Sequence, residues 1–208
     1  IYLREERAHL IEYVILEAVN FGLYKLTDAR MSFYLSTLLL IYVYVMRFYW
    51  QNRKDRIRKN RLLIGAPAFF CILAVACQIF YIPTDARWQK INSVLSGRLE
   101  LGCFGWRDYG FSLLGTKIEW IGFSHNATAG TYNYVDCSYM QILLENGLIP
   151  LIIIIAVYTY IMYMAVKEKD FYLQTAVLLI TAFSITEPRL LNLAYNPLPF
   201  FGITYISL

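Results

Sequence analysis

The chain has 208 residues, of which 58% are hydrophobic and only 16% are charged, with a formal net charge of +4. A soluble domain of this length usually carries more charge and less apolar residue content. Gly and Pro occur in ordinary numbers, which excludes collagen-like and low-complexity chains. We therefore expect an all-α, polytopic integral membrane bundle. The chain starts at Ile1 and ends within an apolar stretch, so we also expect a piece of a longer protein.

Six apolar segments are candidates for membrane spans, each of which needs about 20 mostly apolar residues. The first, at 11–26, contains Glu12 and Glu17, so it fits either a polar-lined span or an interfacial helix. The other predicted spans lie at 31–49, 62–83, 142–166, 171–186 and 197–208, and the last of them is cut short by the end of the chain.

The basic residues predict the orientation of these spans. The segment 51–61 reads QNRKDRIRKNR, and short basic loops between apolar segments usually face the cytoplasm. The alternative is a patch that binds anionic lipid or nucleic acid. The other predicted cytoplasmic loop, 167–170, lies two spans later and fits the first interpretation. Residues 84–141 then form one large outer loop of a single membrane domain that covers 1–208.

Several ionisable side chains in the outer segments are candidates for chemistry. Arg98 can hold a phosphate with its planar fork, or it can anchor a helix end at the membrane surface. Asp136 fits a helix N-cap or a catalytic carboxylate. His125 is the side chain best suited to act as a base near neutral pH, although a lone loop His is often incidental. Glu187 and Arg189, at a span end, either take part in chemistry or pair with other charges to fix the packing.

The sequence lacks the motifs of several enzyme classes. It contains no Walker A sequence, no GxGxxG, no GxSxG, no CxxC pair and no DxD cluster in the outer loop. We therefore expect no metal, no cofactor and no nucleic-acid partner. Cys103 and Cys137 lie in the outer loop and are candidates for a disulfide if that compartment is oxidising.

Three segments together carry a resemblance to a known family. They read SGRLELGCFGWRDYGFSLLG at 96–115, VDCSYMQILLENGLIP at 135–150 and TEPRLLNLAYNPLPFF at 186–201, and DARMSFY at 28–34 adds a fourth. In this order and topology they resemble the O-antigen and capsular polysaccharide polymerases, over about the C-terminal half of a typical member. The related O-antigen ligases carry a His-Asn motif in their outer loop, but the residues after His125-Asn126 depart from it.

The resemblance implies a metal-independent, multi-pass glycosyltransferase of the bacterial plasma (inner) membrane. Its substrates would be oligosaccharide repeats on an undecaprenyl-pyrophosphate carrier. Membrane lipid, a chain-length regulator and a flippase would be its partners. The products would be capsule, O-antigen or exopolysaccharide. The alternatives are a ligase of the same architecture, a transporter or flippase of the lipid-linked sugar, and a structural membrane subunit.

This chemistry needs cations beside the leaving pyrophosphate and a proton acceptor beside the attacking sugar hydroxyl. By that logic Arg98 is the first candidate for the pyrophosphate, followed by Arg189 and then Arg107. Asp136 and His125 compete for the acceptor side. The resemblance also implies supporting roles in substrate binding for two further residues, Tyr139 and Glu187.

Overall fold

The computed structural model describes residues 10–27, 30–52, 56–122, 133–192 and 196. Over these ranges the chain forms eight α-helices and one 3₁₀ helix without any β-strand, which confirms the predicted all-α class. The 3₁₀ helix, Arg56–Gly65, runs directly into α3. The α-helices are α1 (Leu10–Thr27), α2 (Arg30–Asn52), α3 (Ala66–Ile79), α4 (Ala86–Val94), α5 (Arg98–Tyr109), α6 (Ser138–Glu145), α7 (Leu148–Lys167) and α8 (Phe171–Phe183).

Two helical stretches among the described residues are long and apolar enough to cross a membrane, Arg61–Ile79 and Leu148–Lys167. Only 22% of the first and 28% of the second is buried within the protein. The core helix of a soluble protein would be mostly buried. The exposed apolar surface of both helices therefore indicates association with a membrane. Two shorter apolar helical stretches accompany them, Phe33–Val45 and Phe171–Phe183.

Local sequence signals account for several helix boundaries. Pro67 lies in the first turn of α3, where its missing N–H costs nothing. Asp85 caps α4 by accepting a hydrogen bond from the amide of Arg87 at 2.7 Å. Asp170 caps α8 by accepting one from the amide of Leu173 at 3.0 Å. The predicted outer loop thus contains two helices of its own, α4 and α5.

The segment 142–166, predicted as one span, is divided at Gly147 into α6 and α7. Gly147 has a φ of 94°, a conformation that favours glycine. The backbone of 112–113 crosses the turn there, because Ser112 O accepts from the amide of Leu148 at 3.0 Å. A Cβ on Gly147 would lie 2.4 Å from the amide nitrogen of Gly115. The close crossing of two backbone segments therefore fixes the break.

Helix α6 is the centre of the packed core. Six of its eight residues are buried, and it packs against α3, α5 and α7. Helices α7 and α8 also pack together, and the buried Gln174 of α8 donates from Nε2 to Ala165 O of α7 at 3.0 Å. Each buried polar side chain of this kind needs such a partner, because an unpaired one is costly. Helix α6 and its neighbours thus form a rigid support for the chain segments on either side of it.

The pair of α1 and α2 packs separately, with α2 in contact with α8. Glu17 of α1 faces α2, where Thr37 Oγ1 donates to Glu17 Oε1 at 2.6 Å. Asn20 Nδ2 donates to Thr37 Oγ1 at 3.2 Å. The rings of Tyr13 and Tyr44 meet edge to face with centroids 5.0 Å apart. The polar side chains of α1 therefore link it to α2.

Candidate functional site

The conformation of the Ser-Gly-Arg segment places Arg98 at the first residue of α5. Ser96 and Gly97 have φ values of 56° and 84°, so the chain reverses immediately before the helix. The buried Asn92 of α4 holds this turn, because its backbone O accepts from the amide of Gly97 at 2.8 Å. Its Oδ1 accepts from the amide of Leu99 at 3.1 Å, which satisfies a free helix N–H. Arg98 is thereby fixed at its backbone.

The guanidinium of Arg98 bridges two carboxylates that are distant in sequence. Its Nε lies 3.3 Å from Asp136 Oδ2, and its Nη2 lies 3.2 Å from Glu187 Oε1. Arg189 also pairs with Glu187, with its Nε 3.8 Å from Glu187 Oε2. The side chains of Arg98, Asp136 and Glu187 are 21–23% exposed, whereas that of Arg189 is 51% exposed. We call these four residues the charged site.

One hydrogen-bond donor of the charged site has no partner among the described residues. Arg98 Nη1 is buried and has no hydrogen-bond partner among the described residues. A guanidinium offers five N–H donors in a fixed fork that matches carboxylate and phosphate oxygens. Two carboxylates therefore hold Arg98 in place, and one of its donors stays unpaired among the described residues.

Burial changes the acid–base behaviour of Asp136. Loss of solvent is the largest influence and raises the pKa of the Asp136 carboxyl, and the nearby Glu187 raises it further. The charge and hydrogen bond of Arg98 act in the opposite direction without cancelling the rise in pKa. Asp136 is therefore a better proton acceptor than an ordinary, solvated aspartate.

Ser138 holds Glu187 in position through its backbone. Ser138 Oγ donates to Glu187 O at 2.5 Å and accepts from the amide of Leu190 at 3.1 Å. The Ser138 amide donates to Ser184 O at 3.0 Å. These three bonds fasten the start of α6 to the segment that follows α8, and they were not foreseen from the sequence. The only sequence signal is a Ser at the start of a helix, which is too common to single out.

The four charged residues were named from the sequence, and the structure brings them together. The alternative role of Asp136 as a helix cap is not observed, because Cys137 occupies the N-cap position of α6 and no side chain caps it. Asp136 lies one residue too early, and its carboxylate instead faces Arg98. Glu187 and Arg189 pair with each other, and Glu187 also pairs with Arg98.

The other candidates lie elsewhere. Tyr139 is fully buried, and its Oη donates to Thr181 O at 2.7 Å, so it joins α6 to α8 inside the core and is not accessible to a substrate. Arg107 is exposed on the last turn of α5. His125 lies outside the described residues. The suggested disulfide is absent, because Cys103 and Cys137 are both buried and free.

The described residues contain no group of three or more His, Cys, Asp or Glu side chains arranged to hold a metal ion. The charged site is instead an arrangement of two cations and two anions with a spare donor on the buried cation. No protein-family model, no curated protein and no solved structure matches the chain.

Proposed function

We propose that the chain is part of a bacterial membrane glycosyltransferase that polymerises undecaprenyl-pyrophosphate-linked oligosaccharide repeats into surface polysaccharide. The observation that carries the proposal is the Arg98 guanidinium, which is anchored by Asp136 and Glu187 and retains a buried donor. A cation that is held in place by the protein can stabilise the negative charge that develops on a leaving pyrophosphate. Asp136, which lies beside Arg98, can accept the proton of the attacking hydroxyl.

The reaction follows from these two roles. A sugar hydroxyl of the acceptor attacks the anomeric carbon of the donor repeat, and a new glycosidic C–O bond forms. The bond between that carbon and the pyrophosphate oxygen breaks, and undecaprenyl pyrophosphate leaves with the electron pair. The Arg98 guanidinium, whose side chain is 21% exposed, donates to the departing oxygens, and the half-exposed Arg189 adds a second cation. Asp136 takes the proton of the hydroxyl, which its raised pKa favours.

The proposal includes a topology for the whole chain. The chain is a polytopic bundle in which Arg61–Ile79 and Leu148–Lys167 cross the plasma membrane. The basic segment 51–61 and the loop 167–170 lie in the cytoplasm. The segment between α3 and α6, which carries α4 and α5, lies outside. Lipid-linked repeats are polymerised on that outer side, where the charged site faces them.

The test is an assay of the purified full-length protein with a defined undecaprenyl-pyrophosphate oligosaccharide, with and without EDTA. We expect a ladder of longer lipid-linked glycans that EDTA does not abolish. The Arg98→Gln variant should lose the ladder. Arg87→Gln should keep it, since the Arg87 side chain is 91% exposed and, among the described residues, pairs only with Asp85 at 3.4 Å.

Other products would replace the proposal. Transfer of preformed polymer to a separate acceptor, without a ladder, would identify a ligase. Movement of the intact lipid across a proteoliposome bilayer, without new glycosidic bonds, would identify a transporter.

A further inference from the structure

A long apolar groove lies between α3 and α7. It has a volume of about 890 Å³, and small side chains leave this space open, Ala68 and Ala76 on α3 and Ala156 on α7. Along α7 its lining extends from Leu148 to Tyr163, which is about 22 Å at the rise of an α-helix. The hydrocarbon of one membrane leaflet is about 15 Å deep. The groove is therefore long enough for the hydrocarbon chain of a lipid.

One end of the groove belongs to the side of the bundle that carries the basic loops. Ile64 and Tyr163 line this end. Ile64 lies in the 3₁₀ helix that leads from the basic segment 51–61 into α3, and Tyr163 lies in the last part of α7. In the proposed topology both of these chain segments are close to the cytoplasm.

Two exposed cations lie just beyond this end, on the helix faces that line the groove. Arg61 precedes Ile64 by three residues in the 3₁₀ helix, where side chains at this spacing are eclipsed. Lys167 follows Tyr163 by four residues in α7, which places it on the same face one turn later. The 3₁₀ helix packs against α7. Arg61 and Lys167 therefore lie at the same end of the groove.

Nearby carboxylates do not neutralise this end. Within the described part of the chain, neither Arg61 nor Lys167 takes part in an ion pair. Asp170 is occupied as the cap of α8, where it accepts from the amide of Leu173. Glu168 is followed directly by Lys169 in the sequence, and the segment 51–61 contains six basic residues and one acidic residue. The cytoplasmic end of the groove is therefore positively charged.

We propose that this groove holds a hydrocarbon chain of an anionic phospholipid, whose phosphate pairs with Arg61 and Lys167. The chain matches the apolar lining, because burial there removes apolar surface from unfilled space. The negative headgroup complements the two cations, and basic pockets between membrane helices on the cytoplasmic side bind such headgroups. The assignment to the cytoplasmic leaflet rests on the proposed topology, whereas the recognition of negative charge does not.

The same charges argue against a transmembrane helix as the occupant. A helix that crossed the membrane here would bring its own cytoplasmic flank to this end, and such flanks are usually basic. Its Lys or Arg residues would lie beside Arg61 and Lys167, and like charges repel. A phospholipid without net charge could fill the groove but would leave both cations without a counter-charge.

The headgroup is tested by native mass spectrometry of the full-length protein, released from nanodiscs of phosphatidylglycerol and phosphatidylcholine in equal amounts with identical chains. We expect one phosphatidylglycerol to be retained per chain. Arg61→Gln and Lys167→Gln should each reduce the preference for phosphatidylglycerol about fivefold. Arg87→Gln is the control, because it removes an exposed cation far from the groove in sequence and should leave the preference unchanged. Equal retention of the two lipids by the unsubstituted protein would overturn the proposal.

The groove is tested by filling it. Ala156→Phe narrows the groove, whereas Ile153→Phe places the same ring on an exposed position of α7 outside it. Retention of phosphatidylglycerol should be lost in the first variant and kept in the second. Ala68→Leu fills the groove from α3 and replaces Ala156→Phe if that protein does not fold.

Two further outcomes would overturn the assignment. Retention of phosphatidylglycerol in the filled variants would show that it binds only to the basic surface. Its replacement by undecaprenyl phosphate, added to the same nanodiscs, would assign the groove to the lipid carrier instead. The retained lipid is counted without any glycan substrate, so failure of this proposal and failure of polymerisation are separate results.

Discussion

Two glutamates of this chain lie beside apolar helices and are satisfied in different ways. Glu17 accepts a hydrogen bond from the hydroxyl of Thr37 and another from the amide of Asn20, and no cation of the described residues pairs with it. Glu187 instead pairs with Arg98 and Arg189. Neutral donors can fix two helices against each other. Two cations beside two carboxylates instead form a site whose charged groups can pair with those of a ligand.

The two regions also differ in how the backbone near the glutamate is held. Among the described residues, the network of Glu17 involves only α1 and α2. Around Glu187 the backbone itself is held, by Ser138 and, through Leu190, by Tyr158. Groups that carry out chemistry need such support, because small displacements reduce catalysis strongly. We therefore expect substitutions in the charged site to affect function much more than equivalent substitutions at Glu17.

The largest effect is expected from Arg98→Gln. It removes the cation between Asp136 and Glu187 and leaves two partly buried carboxylates facing each other. Polymerisation should fall by about 100-fold or more, and the free energy of unfolding by about 3 kcal/mol. Ladder formation and thermal unfolding in the same detergent measure both. Arg87→Gln is the control, and equal losses in the two variants would show that Arg98 has no special role.

A smaller loss is expected from Ser138→Ala. The amide of Leu190 loses its acceptor and Glu187 O loses a donor, both in a buried place, which should cost about 1–3 kcal/mol. Hydrogen exchange at the amide of Leu190 should accelerate, and the ladder should shorten. Ser93→Ala, which removes an exposed hydroxyl bonded to Lys90 O, is the matched control. Unchanged exchange at Leu190 would contradict the role given to Ser138.

The raised pKa of Asp136 predicts a pH dependence of both stability and activity. Since the pKa of Asp136 is higher in the folded than in the unfolded protein, its favourable contribution is complete below the unfolded pKa. That contribution is lost as the pH rises through the raised pKa of the folded protein. Over the same window Asp136 becomes the carboxylate that accepts a proton, so activity should rise.

Asp136→Asn tests this directly. The variant should gain stability relative to the unsubstituted protein as the pH is raised through that window, and it should lose the activity at every pH. Unfolding midpoints measured for both proteins between about pH 3 and pH 8 give the difference. A difference that changes in the opposite direction with pH would show that the folded protein lowers the pKa of Asp136.

The smallest effect is expected from Glu17→Gln. The amide oxygen can still accept from Thr37 Oγ1, so the link between α1 and α2 is kept. The free energy of unfolding should change by less than about 1 kcal/mol, and the glycan ladder should be unaltered. A loss of the ladder in a stable Glu17→Gln protein would place chemistry at α1 and would remove the contrast between the two glutamates.

The members of the charged site could be named from the sequence because they lie in the three segments that resemble the polymerases. Arg98, Asp136, Glu187 and Arg189 all lie next to apolar runs, where an ion needs a partner or a purpose. Their pairing could not be predicted, since it joins residues 89 positions apart. The importance of Ser138 was missed because a hydroxyl shows its role only through its tertiary partners.

The helices show the same limits. The apolar runs predict α2, α3, α7 and α8, because length and hydrophobicity are local properties. The break at Gly147 was missed, although Glu145-Asn146-Gly147 interrupts the apolar run and Pro150 follows in the first turn of α7. That break arises from the backbone of 112–115, which lies directly against the turn. The contact between these two segments is therefore a property of the tertiary structure alone.

The most direct test of the central claim compares the ladders formed by Arg98→Gln and Glu17→Gln with that of the unsubstituted protein, at equal folded concentration. We predict a full ladder from Glu17→Gln and from the unsubstituted protein, and only the single lipid-linked repeat from Arg98→Gln. A full ladder from Arg98→Gln, in a protein shown to be folded, would contradict the assignment of Arg98 to the pyrophosphate.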